Sequence, residues 1–242
     1  MPDNRDKQKI GNFHGAHLIK LRNRETANFY HNPYVERAKE LTGLLYTLPE
    51  LEAVFPAIFE EPGRPLFLDI GCYMGATVIE LGKYNKDINV LGIDLKYKRV
   101  VKSCDKIQKE GLKNCKIAIC NAVDLIPLLG PGSVLGAFIF FPDPWKKRKH
   151  RKNRLLSSLF LEQVYEKLMP GGFIWLKTDN KQYFDEVVGR VNTSPFSIVE
   201  RLPGSITERE YRTLFEEMFM EQEKPIYHLF SQRARGCGAP SL

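Results

Sequence analysis

No stretch of the 242-residue chain approaches the ~20 consecutive apolar residues of a bilayer-spanning helix, and the opening MPDNRDKQKIGNFHG lacks the apolar core of a signal peptide. The expectation is a cytoplasmic protein with no membrane partner. Cysteine is sparse and odd in number: Cys72, Cys104, Cys115, Cys120 and Cys237 form no CxxC pair and no Cys/His set at metal-ligand spacing. That argues against a disulfide framework and a zinc centre, and no metal is expected. Cys72, inside a glycine loop, reads either as a pocket-lining thiol or as a small space-filling one. No internal repeat is visible.

Acidic residues are missing altogether between Trp145 and Arg154. Seven Lys or Arg fall in the nine residues from Lys146 to Arg154, and the formal net charge is +7, so the rest of the chain sums to neutral. An excess gathered in one place points to an acidic partner, nucleic acid or anionic lipid, although a solvated basic loop has the same composition. The run follows an apolar segment, Val134 to Phe141, that reads as a central strand. Between them stands Pro142-Asp143-Pro144-Trp145, a single carboxylate beside an aromatic ring and ahead of the cations. A polyanion brought to a reactive centre needs such a layout.

Hydrophobic residues at 43% and charged residues at 27% are ordinary globular values, and the length suits one α/β domain with additions. Residues 1–60 read as a basic arm, with Lys20, Arg22 and Arg24, followed by helices in which Val35, Ala38, Leu41, Leu44 and Leu45 recur at helical spacing. From Leu66 onward strands and helices alternate, which predicts parallel strands joined by crossover helices. The strands are 66–70, 90–95, 116–120, 134–141 and 173–178, then FSIVERL and IYHLFSQR. Helices are expected over 75–84, 97–110, 123–129, 154–168, 181–191 and 208–220, with Pro170-Gly171-Gly172 closing the fourth. The prediction is a doubly wound, mostly parallel seven-stranded sheet whose final strand is antiparallel at or near an edge.

The first of these strands ends in Asp69-Ile70-Gly71-Cys72-Tyr73-Met74-Gly75, and the second ends in Asp94. A ligand at the carboxyl ends of parallel strands meets the glycine turn first, and an acid after the second strand can accept from ribose hydroxyls. A dinucleotide would want GxGxxG, but Tyr73 and Ala76 occupy its second and third glycine positions. S-adenosylmethionine fits better, because it has no pyrophosphate and its sulfonium and ammonium favour a nearby carboxylate, here Asp69. After the third strand, Asn121-Ala122 offers an amide to an adenine edge, or a helix cap.

These residues carry a resemblance. From about Pro33 to Arg233 the chain resembles the bacterial-type tRNA (guanine-N7)-methyltransferases. Its most specific part is FFPDPWKKRKHRKNRL, and further parts are Thr178-Asp179-Asn180 with Tyr183, and Thr213-Leu214-Phe215-Glu216 followed by Pro225-Ile226-Tyr227. The resemblance implies a Rossmann-like class I methyltransferase, with an S-adenosylmethionine-dependent domain over 61–242 and tRNA as partner. It implies a cofactor site of Asp69, Gly71, Gly75, Asp94, Asn121, Ala122 and Asp143. It also implies substrate contacts from Lys147, His150, Lys152, Arg154, Asp179, Thr213, Leu214, Phe215 and Glu216. Asn121 stands where the family often has Asp, and Asn153 interrupts its usual Lys-Arg-Arg.

Guanine N7 has a lone pair and no proton, so its methylation needs no general base; placement and electrostatics should dominate. Asp143 is the candidate for stabilising the cation that develops on the purine, with a structural turn as its alternative role. Asp179 and Glu216 would accept from guanine N1 and N2. A class I methyltransferase acting on another RNA or on protein, and a non-catalytic RNA-binding protein with a degenerate pocket, remain open at this point.

Overall fold

The computed structural model describes residues 32–200 and 211–234. The arm cations Lys20, Arg22 and Arg24, residues 208–210 of the last expected helix, and Cys237 lie outside the described residues. Strands β2 (Leu66–Ile70), β3 (Asn89–Asp94) and β5 (Val134–Phe140) are buried at every position. They also belong to a parallel array with β4 (Cys115–Ile119) and β6 (Leu168–Thr178). Unbroken apolar strands suit a parallel sheet covered by helices on both faces. Strand β8 (Tyr227–Arg233) pairs antiparallel with β6, and β7 (Phe196–Val199) pairs antiparallel with β8 at the edge. The expected antiparallel final strand is present, one place in from the margin.

Among the described residues the sheet has eight strands, not seven. The additional one, β1 (Leu45–Thr47), pairs parallel with β4 at the opposite edge, Leu45 facing Ile117. The sequence places Leu44 and Leu45 in a helix, but helix α1 (Pro33–Lys39) stops earlier. Leu41, Leu44 and Leu45 share one buried cluster. A short run of apolar residues satisfies a strand edge as readily as a helix face, and periodicity alone cannot separate the two.

The remaining α-helices among the described residues are α2 (Leu48–Val54), α3 (Ala76–Tyr84), α4 (Tyr97–Lys109), α5 (Ala122–Leu125), α6 (Ser158–Lys167), α7 (Lys181–Asn192) and α8 (Leu214–Glu221). Alternate strand residues serve opposite faces. Leu68, Leu91, Ala137 and Ile174 pack with Leu125, Phe160 and Val187. Phe67, Val90, Phe138 and Phe173 pack with Val78, Leu81 and Val100. On that second face Phe138 meets Phe67 edge-on at 5.3 Å and Phe173 at 5.5 Å. Among the described residues no helix is long and apolar enough to cross a membrane.

Three expected boundaries move. Helix α8 begins at Leu214, where the sequence pattern expected it from 208: the described residues 211–213 are not helical, and the Thr213 hydroxyl caps the helix by accepting from Glu216 N at 3.1 Å. Helix α6 starts at Ser158 rather than 154, because the Ser157 hydroxyl accepts from Phe160 N at 3.2 Å and caps it, while Arg148–Asn153 forms 3-10 turns. Pro170-Gly171-Gly172 lies inside β6 instead of ending a helix, and a register shift opposite Val134 and Gly136 absorbs it.

The strand order β1-β4-β3-β2-β5-β6-β8-β7 reverses direction between β2 and β5. The chain moves outward one way through β3 and β4, then the other way through β5 and β6. The loops after β2 and β5 therefore leave the carboxyl edge on either side of a crevice, where open α/β sheets take their ligands.

Candidate active site

After β2 the backbone folds over the end of β3. Gly71 N and Cys72 N both donate to the Ile93 carbonyl, at 2.8 and 2.9 Å, and Tyr73 N donates to Asp94 Oδ2 at 3.2 Å. Gly71 (φ +87°) and Gly75 (φ +74°) both occupy the left-handed region, which L side chains adopt at a cost. A Cβ on Gly75 would also stand 2.8 Å from Ser103 Cβ, whereas at Gly71 the space is open. The turn thus requires glycine twice, and its backbone is bare where a ligand could approach.

The resulting cleft encloses about 430 Å³, part of it open to solvent. One wall is the glycine loop with Ala76 and Thr77, the other is Thr213 to Phe215, and Phe140 closes the β5 side. Phe215 bridges the walls, its ring 5.1 Å from Tyr73 and 6.3 Å from Phe141. Asp69 lines the same cleft, 3% exposed, and its Oδ2 is buried without a hydrogen-bond partner among the described residues. Burial, reinforced by the neighbouring Asp94 charge, pushes this carboxyl up to about 8. A buried, unsatisfied carboxyl oxygen is costly in a folded protein and suits a cationic ligand that brings its own donors. Cys72 lines the cleft too, but burial raises its thiol well above the ordinary range, leaving it a space-filling group rather than a nucleophile.

Asp94 is already engaged: Lys96 N donates to Oδ1 at 3.0 Å, and Arg99 reaches Oδ2 at 3.4 Å with its guanidinium 4.8 Å over the Tyr73 ring. Its carboxylate orders the glycine loop and retains lone pairs for further donors. Four aromatic residues on segments around the cleft have positive φ: Tyr73 (50°), Phe141 (52°), Trp145 (41°) and Tyr211 (36°). Backbone strain of this kind gathers at sites whose geometry has to be held.

The structure sorts the sequence-predicted residues into groups. Asp69, Gly71, Thr213, Leu214 and Phe215 meet in the cleft, and Gly75 is the N-cap of α3 beside it. Asn121 caps α5 through Val123 N at 3.1 Å, and the buried Ala122 opens that helix; neither is among the described lining residues. Asp143 is exposed on the β5 loop, its Oδ1 accepting from Trp145 N at 3.1 Å. Trp145 packs edge-on against His150 at 5.7 Å. Asp179 follows β6 and is half-buried.

The basic run divides. Arg154 is buried: Nε donates to the Pro144 carbonyl at 2.8 Å, Nη1 pairs with Glu186, and the guanidinium lies 4.9 Å over Tyr183. Arg151 also reaches α7, at Gln182 (3.1 Å) and Glu186 (3.7 Å). These two arginines anchor the loop, while Lys146, Lys147, Arg148, Lys149 and Lys152 remain exposed. The Tyr183 hydroxyl accepts from Leu156 N at 3.1 Å, so this signature tyrosine holds the loop from beneath.

Glu216 is buried and pairs with Lys177 at 2.7 Å. Lys177 lies 4.7 Å from the Phe140 ring and 4.9 Å from Trp175, and it also donates to the Tyr211 carbonyl at 3.4 Å. Sequence reasoning missed this lysine. A lone cation in the apolar strand FIWLKT was the available signal, since a buried charge demands a partner. It also missed Lys106, which lines the cleft from α4. Among the described residues no group of three or more His, Cys, Asp or Glu could hold a metal ion.

A doubly wound sheet with a glycine turn and an acid-floored cleft at its switch point is a class I methyltransferase fold. Solved structures of low identity agree on the fold: the 16S rRNA methyltransferase KamB (TM-score 0.54, 15% identity, 70% of this chain and 88% of that one) and the aminoglycoside resistance methyltransferase NpmB1 (0.51, 20%, 77% and 93%). A family model described as "Putative methyltransferase" matches residues 63–229. Curated relatives include the tRNA (guanine-N(7)-)-methyltransferases of Alkaliphilus oremlandii, 35% identical over 69% of this chain and 81% of that one, and Geobacillus kaustophilus, 33% over 68% and 77%. The chain belongs to the tRNA (guanine-N7)-methyltransferase family.

Proposed function

We propose that the chain transfers the methyl group of S-adenosylmethionine to N7 of a guanine in tRNA, giving 7-methylguanosine, in the cytoplasm. The observation that carries the reading is the buried Asp69 carboxyl, whose Oδ2 has no hydrogen-bond partner among the described residues, in a cleft whose β5 side leads directly into Pro-Asp-Pro-Trp and the exposed cations. When bound, the cofactor supplies an electrophilic methyl group on a sulfonium. Asp69 faces its cationic end, and Asp94 offers lone pairs to its ribose.

Guanine N7 carries no proton to remove, so the task of the chain is to place the guanine and favour the charge that develops on it. Asp143 serves that charge, with one oxygen fixed by Trp145 N and the other left for the purine. Asp179 accepts from the guanine donors. Glu216, held by Lys177, acts from behind by setting the Thr213–Phe215 wall.

Guanine N7 faces the deep, narrow groove of A-form RNA, so the base has to be loosened or flipped to be reached. Lys146, Lys147, Arg148, Lys149 and Lys152 hold the flanking phosphates, with His150 as a further contact beside Trp145. Arg154 supports them by fixing the loop to α7. The test is nucleoside analysis of an unmodified tRNA transcript after incubation with protein and donor. Newly formed 7-methylguanosine is expected; a different methylated nucleoside, or none, refutes the reading.

A further inference from the structure

Among its described lining residues the cleft holds one acid, Asp69, and one cation, Lys106 from α4. Lys106 Nζ donates to the Met74 carbonyl at 3.0 Å, which brings the ammonium across to the glycine loop. That bond uses one of its three hydrogens, and a carbonyl brings no counter-charge. The nearest acids along the chain, Asp105 on α4 and Glu110 at its C-cap, are engaged elsewhere, with Arg37 at 3.2 Å and Lys83 at 2.7 Å. Beside Lys106 begins α3, a nine-residue helix whose N-cap, Gly75, has no side chain to satisfy the leading N–H groups. Its first residues, Ala76 and Thr77, line the cleft as well. One part of the cleft is therefore built for an anion. Asp69, with its buried partnerless oxygen, supplies the opposite sign.

We propose that Lys106, together with the amino end of α3, receives the carboxylate of the methyl donor's amino-acid end, while Asp69 receives the ammonium on the same carbon. The inference rests on the S-adenosylmethionine reading above and deepens it: the cleft selects a zwitterion. A donor lacking the carboxylate leaves Lys106 unmatched, and discrimination of this kind comes from charged groups left without a partner. Lys106 belongs to none of the motifs that carry the family resemblance, so its role is visible only once α4 is placed against the glycine loop.

The test is a cycle of two proteins and two ligands. Calorimetry gives the Kd of the full-length wild type and of Lys106→Met for S-adenosylmethionine and for its decarboxylated analogue, which keeps the sulfonium and ammonium. The wild type is expected to prefer the carboxylated ligand about tenfold, the worth of one exposed charge-assisted hydrogen bond. In Lys106→Met that preference shrinks through weaker S-adenosylmethionine binding alone, the amino end of α3 retaining part of it, and Lys106→Arg restores it. Equal weakening of both ligands, or an undiminished preference, overturns the proposal. A wild-type chain that binds neither ligand refutes the cofactor reading itself, a result distinct from either.

Discussion

Replacing Asp69 by Asn should both stabilise the protein and disable it. In the folded chain this carboxyl titrates near 8, against about 3.9 in an unfolded chain. Between those values the native state keeps a proton that the unfolded state has lost, so native stability falls as pH rises from about 4 to about 8. Four units at 1.36 kcal/mol each set an upper bound of about 5 kcal/mol for the penalty at pH 8, and water entering the cleft reduces it. Asp69→Asn carries no such penalty, so its stability advantage over wild type should grow through this window and level off above it. Ligand binding has the complementary sign. A cationic donor favours the ionised carboxyl, so below pH 8 binding expels a proton and Kd should tighten about tenfold per pH unit between 6 and 8. Urea unfolding of both proteins at pH 5, 6.5 and 8 tests the first part. Calorimetry in buffers of different ionisation enthalpy tests the second, with close to one proton released at pH 6.5. Parallel stability curves for the two proteins, or a Kd flat from pH 6 to 8, would refute the reasoning.

Asp143→Asn should lower kcat about 10- to 100-fold with little change in donor or tRNA affinity, since it removes charge stabilisation realised only in the transition state; single-turnover kinetics reads this directly. Lys147→Ala with Lys152→Ala should lower the slope of log K against log salt for tRNA by about 1.5, at 0.7–0.9 per phosphate, and leave donor binding unchanged. Arg154→Ala should act on stability before affinity. It removes a buried guanidinium from Glu186, which Arg190 still approaches at 3.6 Å, so the loss should be about 2 kcal/mol and Tm should fall by roughly 4–8 °C. An Arg154→Ala protein of wild-type Tm but a reduced salt slope would place Arg154 among the phosphate contacts instead.

The parallel core was legible because each central strand is a continuous apolar run ending in punctuation that means something: Asp69 with glycines, Asp94, then Pro142-Asp143-Pro144. Strand β1 was not, because three residues carry no period and Leu44 and Leu45 fit a helical spacing equally well. The signature residues were legible as a set but not by role. Arg154 reads as one more cation in a basic run, and only the placement of α7, bringing Tyr183 and Glu186 beneath it, turns it inward. Glu216 likewise reads as a surface partner of Thr213, until Lys177 from a strand 39 residues earlier meets it in the core. Such pairings depend on topology, and no local pattern encodes them.

The account rests on a lone pair at one ring atom being the acceptor of the methyl group. Two tRNA transcripts, one with guanosine throughout and one with 7-deazaguanosine, should be incubated with protein and donor labelled on the methyl group. The first is expected to take up label, recovered entirely as 7-methylguanosine, and the second none. Label in the 7-deaza transcript, or label in another nucleoside of the first, would contradict the account.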